Sequence, residues 1–369
     1  MNKLENNRLK NNIKKLLLID SVGNIMIANA SWVALLAVRG FSMVEIGFAE
    51  CIFHIASMIF EIPSGAIADV FGRKKVIVAS RIAIVLHSLM MITVNSFSLL
   101  AVAMVVAALS YNLASGTREA LAYDSLKQLN MEEKYDKFAA NDLTVYSFTS
   151  SLSTLLAGVA IYLGYALAYM IDIVIGIFSV VIAFSLQEVE TDLQKETKIK
   201  QRFVTVVKES IRFIKENKKM RVIIGVNNVI GAVSVLILFF LQAKLPKMGL
   251  NNMILGPTLF GMGLGSTIGA KASEAFKKIF KKNNYRKSVV FSAICTMIAF
   301  STVFVPNIIV VVLGGFIGAF ADNYLEVLTD IKLNNMIESD QRATLISINS
   351  FVFSIIMIVL SPIFGTIFS

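Results

Sequence analysis

Apolar runs of about 20 residues recur from one end of the chain to the other, divided by short stretches rich in lysine, arginine, asparagine and glycine. An α-helix needs about 20 such residues to cross the hydrocarbon core of a bilayer. Candidate spans lie near residues 14–38, 44–66, 76–96, 98–122, 140–163, 165–187, 220–245, 252–272, 288–305, 307–332 and 343–367. The pattern predicts an all-α polytopic membrane protein with about eleven helices. Composition narrows the choice: 56% hydrophobic residues and a mean hydropathy of +0.71 exclude a water-soluble core.

The formal net charge of +10 would suggest nucleic acid for a soluble domain, but position along the chain matters more here. With a cytoplasmic amino terminus, all but Arg39, Lys244 and Lys247 of the 35 lysines and arginines fall in or beside cytoplasmic segments. The positive-inside rule therefore predicts that orientation, with the bilayer and not nucleic acid as partner; the membrane itself is expected to be a bacterial inner (plasma) membrane. Lys14 and Lys15 precede the first span, yet Asp20 and Asn24 interrupt it and no small-residue cleavage site follows cleanly. It reads as a retained helix, not a removable signal. Cys51 and Cys295 lie in separate apolar spans and indicate no disulfide framework.

An ionisable side chain in a span costs about 2.5–3.5 kcal/mol on insertion scales, so such residues usually face protein or water and often carry function. The candidates are Asp20, Asn24 and Trp32 in helix 1; Glu50, His54 and Glu61 in helix 2; Asn112 and Glu119 in helix 4; Asn227 and Asn228 in helix 7; and Asp322 and Glu326 in helix 10. Glu119 could pair with Arg118 or with a base on another helix, and Asp124, Asp142 and Asp330 lie near the inner ends of their spans, where a structural or gating role fits. His54, one turn from Glu50, suits a proton relay or a packing contact; two ligands make no metal site. Gly261, Gly265 and Gly269, and likewise Gly314 and Gly318, repeat every four residues. That spacing suits close helix contact, with the interface between two moving halves as one place for it. Residues 188–219 turn from acidic to basic, with Phe203, Val207, Ile211 and Ile214 on one face of an amphipathic helix suited to the inner leaflet.

Residues 65–75 read Gly-Ala-Ile-Ala-Asp-Val-Phe-Gly-Arg-Lys-Lys between two apolar spans. Small residues there permit close helix ends, the basic run marks a cytoplasmic face, and Asp69 adds a counter-charge able to cap a neighbouring helix start. This segment resembles the loop between helices 2 and 3 of the major facilitator superfamily (MFS). The resemblance implies two six-helix halves related by an internal repeat, with helices 1, 4, 7 and 10 lining a central cavity. It makes Gly65, Asp69, Gly72, Arg73 and Lys74 a conformational-switch motif and places most of the polar candidates on a substrate or proton pathway. Weak echoes between halves, such as Glu119 to Lys127 against Glu326 to Lys332, agree with a repeat. The expected organisation is residues 1–190 as the first half, 191–217 as a cytoplasmic linker and 218–369 as the second half with five helices. A second half as long as the first would run past Ser369, so helix 12 is expected to be missing and the carboxyl terminus to lie outside. Two departures stand out: the helix 5 span has no Gly-Pro motif, and no basic residue sits midway along helix 4.

The function expected is secondary active transport by alternating access: proton-coupled efflux of a small amphipathic compound, cations included, by a monomer using the proton gradient and no cofactor. Proton-coupled uptake and a non-transporting sensor or scaffold stand as alternatives. No enzyme is expected, since no His-Glu-x-x-His motif, metal-ligand cluster or Ser–His pairing is visible.

Overall fold

The computed structural model describes residues 3–189, 217–279, 285–336 and 342–369, and every regular element among them is helical. The first group is α1 (Lys3–Gly23), α2 (Ile27–Ala30), α3 (Trp32–Arg39), α4 (Met43–Phe71), α5 (Arg73–Thr93), α6 (Phe97–Ala114), α7 (Thr117–Gln128), α8 (Tyr135–Leu155), α9 (Ala157–Leu163) and α10 (Tyr165–Phe184). A short 3₁₀ turn, Glu132–Lys134, precedes α8. The second group is α11 (Lys218–Lys247), α12 (Asn252–Ile279), α13 (Tyr285–Thr302), α14 (Ile308–Asn334) and α15 (Arg342–Ile367). The expected amphipathic linker helix, with Phe203, Val207, Ile211 and Ile214, lies outside the described residues.

All eleven expected spans fall on helices. Among the described residues, eight stretches are long and apolar enough to cross a membrane, and the pair α8–α9, bent by 45°, makes a ninth. The remaining two are residues 14–38, which break into α1, α2 and α3, and 288–305, which fall mostly on the 18-residue α13. A helix that must place Asp20 and Asn24 inside protein gives up length and apolarity for them.

The chain separates into two compact units, Met1–Trp32 with Ile52–Thr205 and Val33–Cys51 with Val206–Ser369. In the first, α5 packs against α6 and α10, and α1 against α7, α8 and α10. Leu16, Ile19, Ile77, Leu121, Phe138 and Ala183 meet there as a buried apolar core. Polarity is arranged as a bilayer requires: on α10, Val174, Ile177, Phe178 and Val181 are exposed while Asp172 and Ser179 are fully buried.

In the second unit α14 is central, packed on α11, α12 and α13. The glycine spacing has its use here. An added methyl at Gly265 or Gly269 would strike the backbone of Phe316 or Phe320, and at Gly318 it would meet Ala299 and Ser234. The stripe thus brings α12 and α14 into backbone contact inside this unit, not between halves; a Cβ at Gly261 would meet nothing within 4 Å among the described residues. Gly47 of α4 and Gly365 of α15 allow a similar approach, against Ser361 and against Met43 and Val44.

Candidate functional site

The break in helix 1 builds the site. α1 ends at Gly23, and the chain passes through Asn24, Ile25 and Met26 before α2 begins at Ile27. The first amides of α2 have no partner within their own helix. Asp172 of α10 supplies one, accepting from Ala28 N at 3.3 Å and Asn29 N at 2.9 Å. The carbonyl of Asn24 accepts from Ser153 Oγ of α8 at 2.8 Å. An interrupted helix in a membrane survives only where such partners satisfy its backbone.

Beside this break lies a cavity of about 580 Å³, with every lining residue in the first unit. A second interruption, between α6 and α7 at Ser115 and Gly116 (φ +73°), turns Arg118 and Glu119 toward it. Arg118 Nη2 donates to Asp20 Oδ2 and, at 2.8 Å, to Asp142 Oδ1, joining α7 to α1 and α8. Glu119 does not pair with Arg118: adjacent residues of a helix point about 100° apart. Its buried Oε2 has no hydrogen-bond partner among the described residues. Arg81 of α5 also lines the cavity and is 9% exposed.

Of the pathway candidates, Asp20, Asn24 and Glu119 share this lining. Asn112 is buried elsewhere and ties α6 to α4, donating to Ser57 Oγ at 2.9 Å and Ala108 O at 2.7 Å. Glu50 and His54 are both buried on α4, the His54 ring edge-on to Phe53 at 5.4 Å. Glu61 lies farther along α4, and neither it nor Trp32 of α3 lines the cavity. In the second unit Asn227 is buried, and Asn228 donates to Asn349 Oδ1 at 3.0 Å, joining α11 to α15. Asp322 faces Gly231 of α11, where an added Cβ would come within 3.0 Å of its Oδ1, whereas Glu326 and Asp330 are exposed.

The segment 65–75 is held as a second assembly, and it is no extended loop: residues 65–71 close α4, 73–75 open α5, and Gly72 alone lies between them. Gly72, at φ +97°, leads into α5. Glu188 caps that helix, accepting from Arg73 N at 2.9 Å and Lys74 N at 3.1 Å. Arg73 donates to Ala120 O at 2.6 Å and pairs with Asp124. The carboxylate at this helix start is thus Glu188, which the sequence places only in an acidic stretch after helix 6. Arg81 and Asp172 were also passed over; the available signal was a single charge inside each apolar span.

Compared with known proteins, the chain matches the Major Facilitator Superfamily over residues 16–362. The chain belongs to the major facilitator superfamily. It is 25% identical over 345 residues to an uncharacterized MFS-type transporter, YxaM, of Bacillus subtilis (strain 168), covering 91% of this chain and 84% of that one. Its fold is similar to the crystal structure of the nucleoside transporter NupG, with TM-score 0.71 and 13% identity over 95% of this chain and 90% of the other. A D-xylose–proton symporter follows at TM-score 0.67 and 12% identity over 99% and 90%. A bacterial homolog of the human lysosomal transporter Spinster, inward-facing and occupied, gives 0.69 and 15% over 96% and 80%. The chain is thus a multi-pass membrane protein with an MFS transporter fold.

Proposed function

We propose that this MFS protein is a secondary active transporter that moves a small molecule across the bacterial plasma membrane by alternating access, coupled to protons, in the export direction and with its amino terminus in the cytoplasm. One observation carries the reading: Asp20 and Asp142 share a single cation, Arg118, beside a cavity of about 580 Å³. Two carboxylates on one arginine leave a formal negative charge, which a proton can neutralise by taking one carboxylate off the bridge. Because Arg118 joins α7 to both α1 and α8, that protonation changes which helices are tied together. The motif at 72–74, held by Glu188 and Asp124, serves conformational switching on this reading, apart from substrate contact.

The test is uptake of candidate compounds into everted membrane vesicles, with collapse of an imposed pH gradient as readout. Asp20→Asn should abolish accumulation against a gradient while downhill exchange persists. Uphill transport at the wild-type rate in Asp20→Asn would overturn proton coupling through this bridge, and accumulation only in right-side-out vesicles would reverse the direction.

A further inference from the structure

Arg81 is a buried charge of the first unit that the transport reading leaves unused. It sits two turns into α5, is 9% exposed, and lines the cavity beside the helix 1 break. Asp20 and Asp142 are taken by Arg118. Arg81 has no ion-pair partner among the described residues, and its buried Nε has no hydrogen-bond partner. Gly23 makes room for it: a Cβ there would stand 2.9 Å from Arg81 Nη1 and 3.2 Å from Ser179 Oγ, a buried hydroxyl with no hydrogen-bond partner among the described residues. A guanidinium out of bulk water and without a counter-ion is costly, and such groups are retained where a ligand supplies the missing anion.

The remaining lining defines that ligand. Phe53, Ile84 and Leu143 offer apolar and aromatic surface, and the volume falls in the range of small-molecule pockets. Glu119, unpaired with a buried oxygen, shares the lining, so a second negative charge on the ligand would be repelled. We propose that Arg81 receives the carboxylate of a small, mainly apolar organic monoanion, the planar fork of the guanidinium matching the two oxygens. This rests on the cavity serving transport, and it replaces the sequence-based allowance for cationic compounds.

Binding can be read without transport. Purified protein is titrated with three isosteric probes, 3-phenylpropionate, 3-phenylpropanamide and 3-phenylpropylamine, and separately with chloride and inorganic phosphate, following thermal unfolding. The carboxylate should raise the unfolding temperature and the amide and amine should not. Arg81→Gln should weaken the carboxylate's apparent affinity about 10- to 100-fold, the range for losing a hydrogen bond to a charged group. Arg81→Lys should keep part of it. Should Arg81→Gln not fold, Gly23→Ala, which presses a methyl on the guanidinium, should weaken the carboxylate alone. No stabilisation by the carboxylate, equal stabilisation by amide or amine, or an unchanged response in the variants would overturn the proposal. Phosphate or chloride acting as well as the carboxylate would make this an inorganic-anion site and overturn it too. The binding and vesicle assays fail separately: stabilisation by the carboxylate without collapse of the pH gradient refutes proton coupling alone, and gradient collapse without that stabilisation refutes anion recognition alone.

Discussion

Arg118 serves two carboxylates on different helices, and that sharing makes the bridge sensitive to each of its members. Removing one partner of a buried pair costs about 3–5 kcal/mol because the other charge is left without compensation. Here Arg118→Gln strands both Asp20 and Asp142, whereas Asp20→Asn still leaves Arg118 a partner. Arg118→Gln is therefore expected to lower the unfolding temperature of purified protein more than Asp20→Asn, and the double variant should lose less than the two single losses added together. Thermal unfolding of the four proteins checks this through the coupling term. Strict additivity would mean that the two residues do not interact.

At the scale of the element, two helix starts depend on carboxylates distant in sequence. Asp172→Leu should cost about 1–3 kcal/mol for each amide of α2 left unpaired, and Asp172→Asn less, since its amide oxygen still accepts. Unfolding temperatures ranked wild type, Asn, Leu would agree; equal losses for both variants would point to charge and not to capping. The start of α5 has a different requirement. Gly72 adopts a φ of +97° with an extended ψ of 139° and stands against the Glu188 carboxylate, so Gly72→Ala suffers both backbone strain, about 1–3 kcal/mol, and a clash. Adding Glu188→Ala relieves the clash alone and removes the cap. Stability in the double variant should therefore stay well below wild type, as measured by the same unfolding assay.

Across the whole molecule, the positions of lysine and arginine and the number of apolar spans make a prediction about sidedness. A tag fused before Met1 should react with a membrane-impermeant reagent only after permeabilisation, and one fused after Ser369 should react in intact cells. The same result for both tags would contradict an odd number of crossings. The reverse pattern would contradict the orientation drawn from the charges. Both outcomes are independent of substrate, so the topology can be settled before any transported compound is known.

Helices and their membrane character were legible because they depend on local features: the length of an apolar run against the thickness of a bilayer, and the glycines and basic residues between runs. The segment 65–75 was legible for the same reason, its residues being contiguous. Asp20, Asn24 and Glu119 could be singled out as polar groups in apolar spans, but their sharing of one cavity could not. Spacing along one helix says which residues share a face, not which neighbour that face meets. Packing decided that Arg118 takes Asp20 and Asp142 while Glu119, next to it in sequence, is left out. Packing likewise set Asp172 at the start of α2 and Glu188 at the start of α5, across 143 and 115 residues. It also placed Arg81 in the lining with no ion-pair partner among the described residues, an arrangement that no stretch of sequence states.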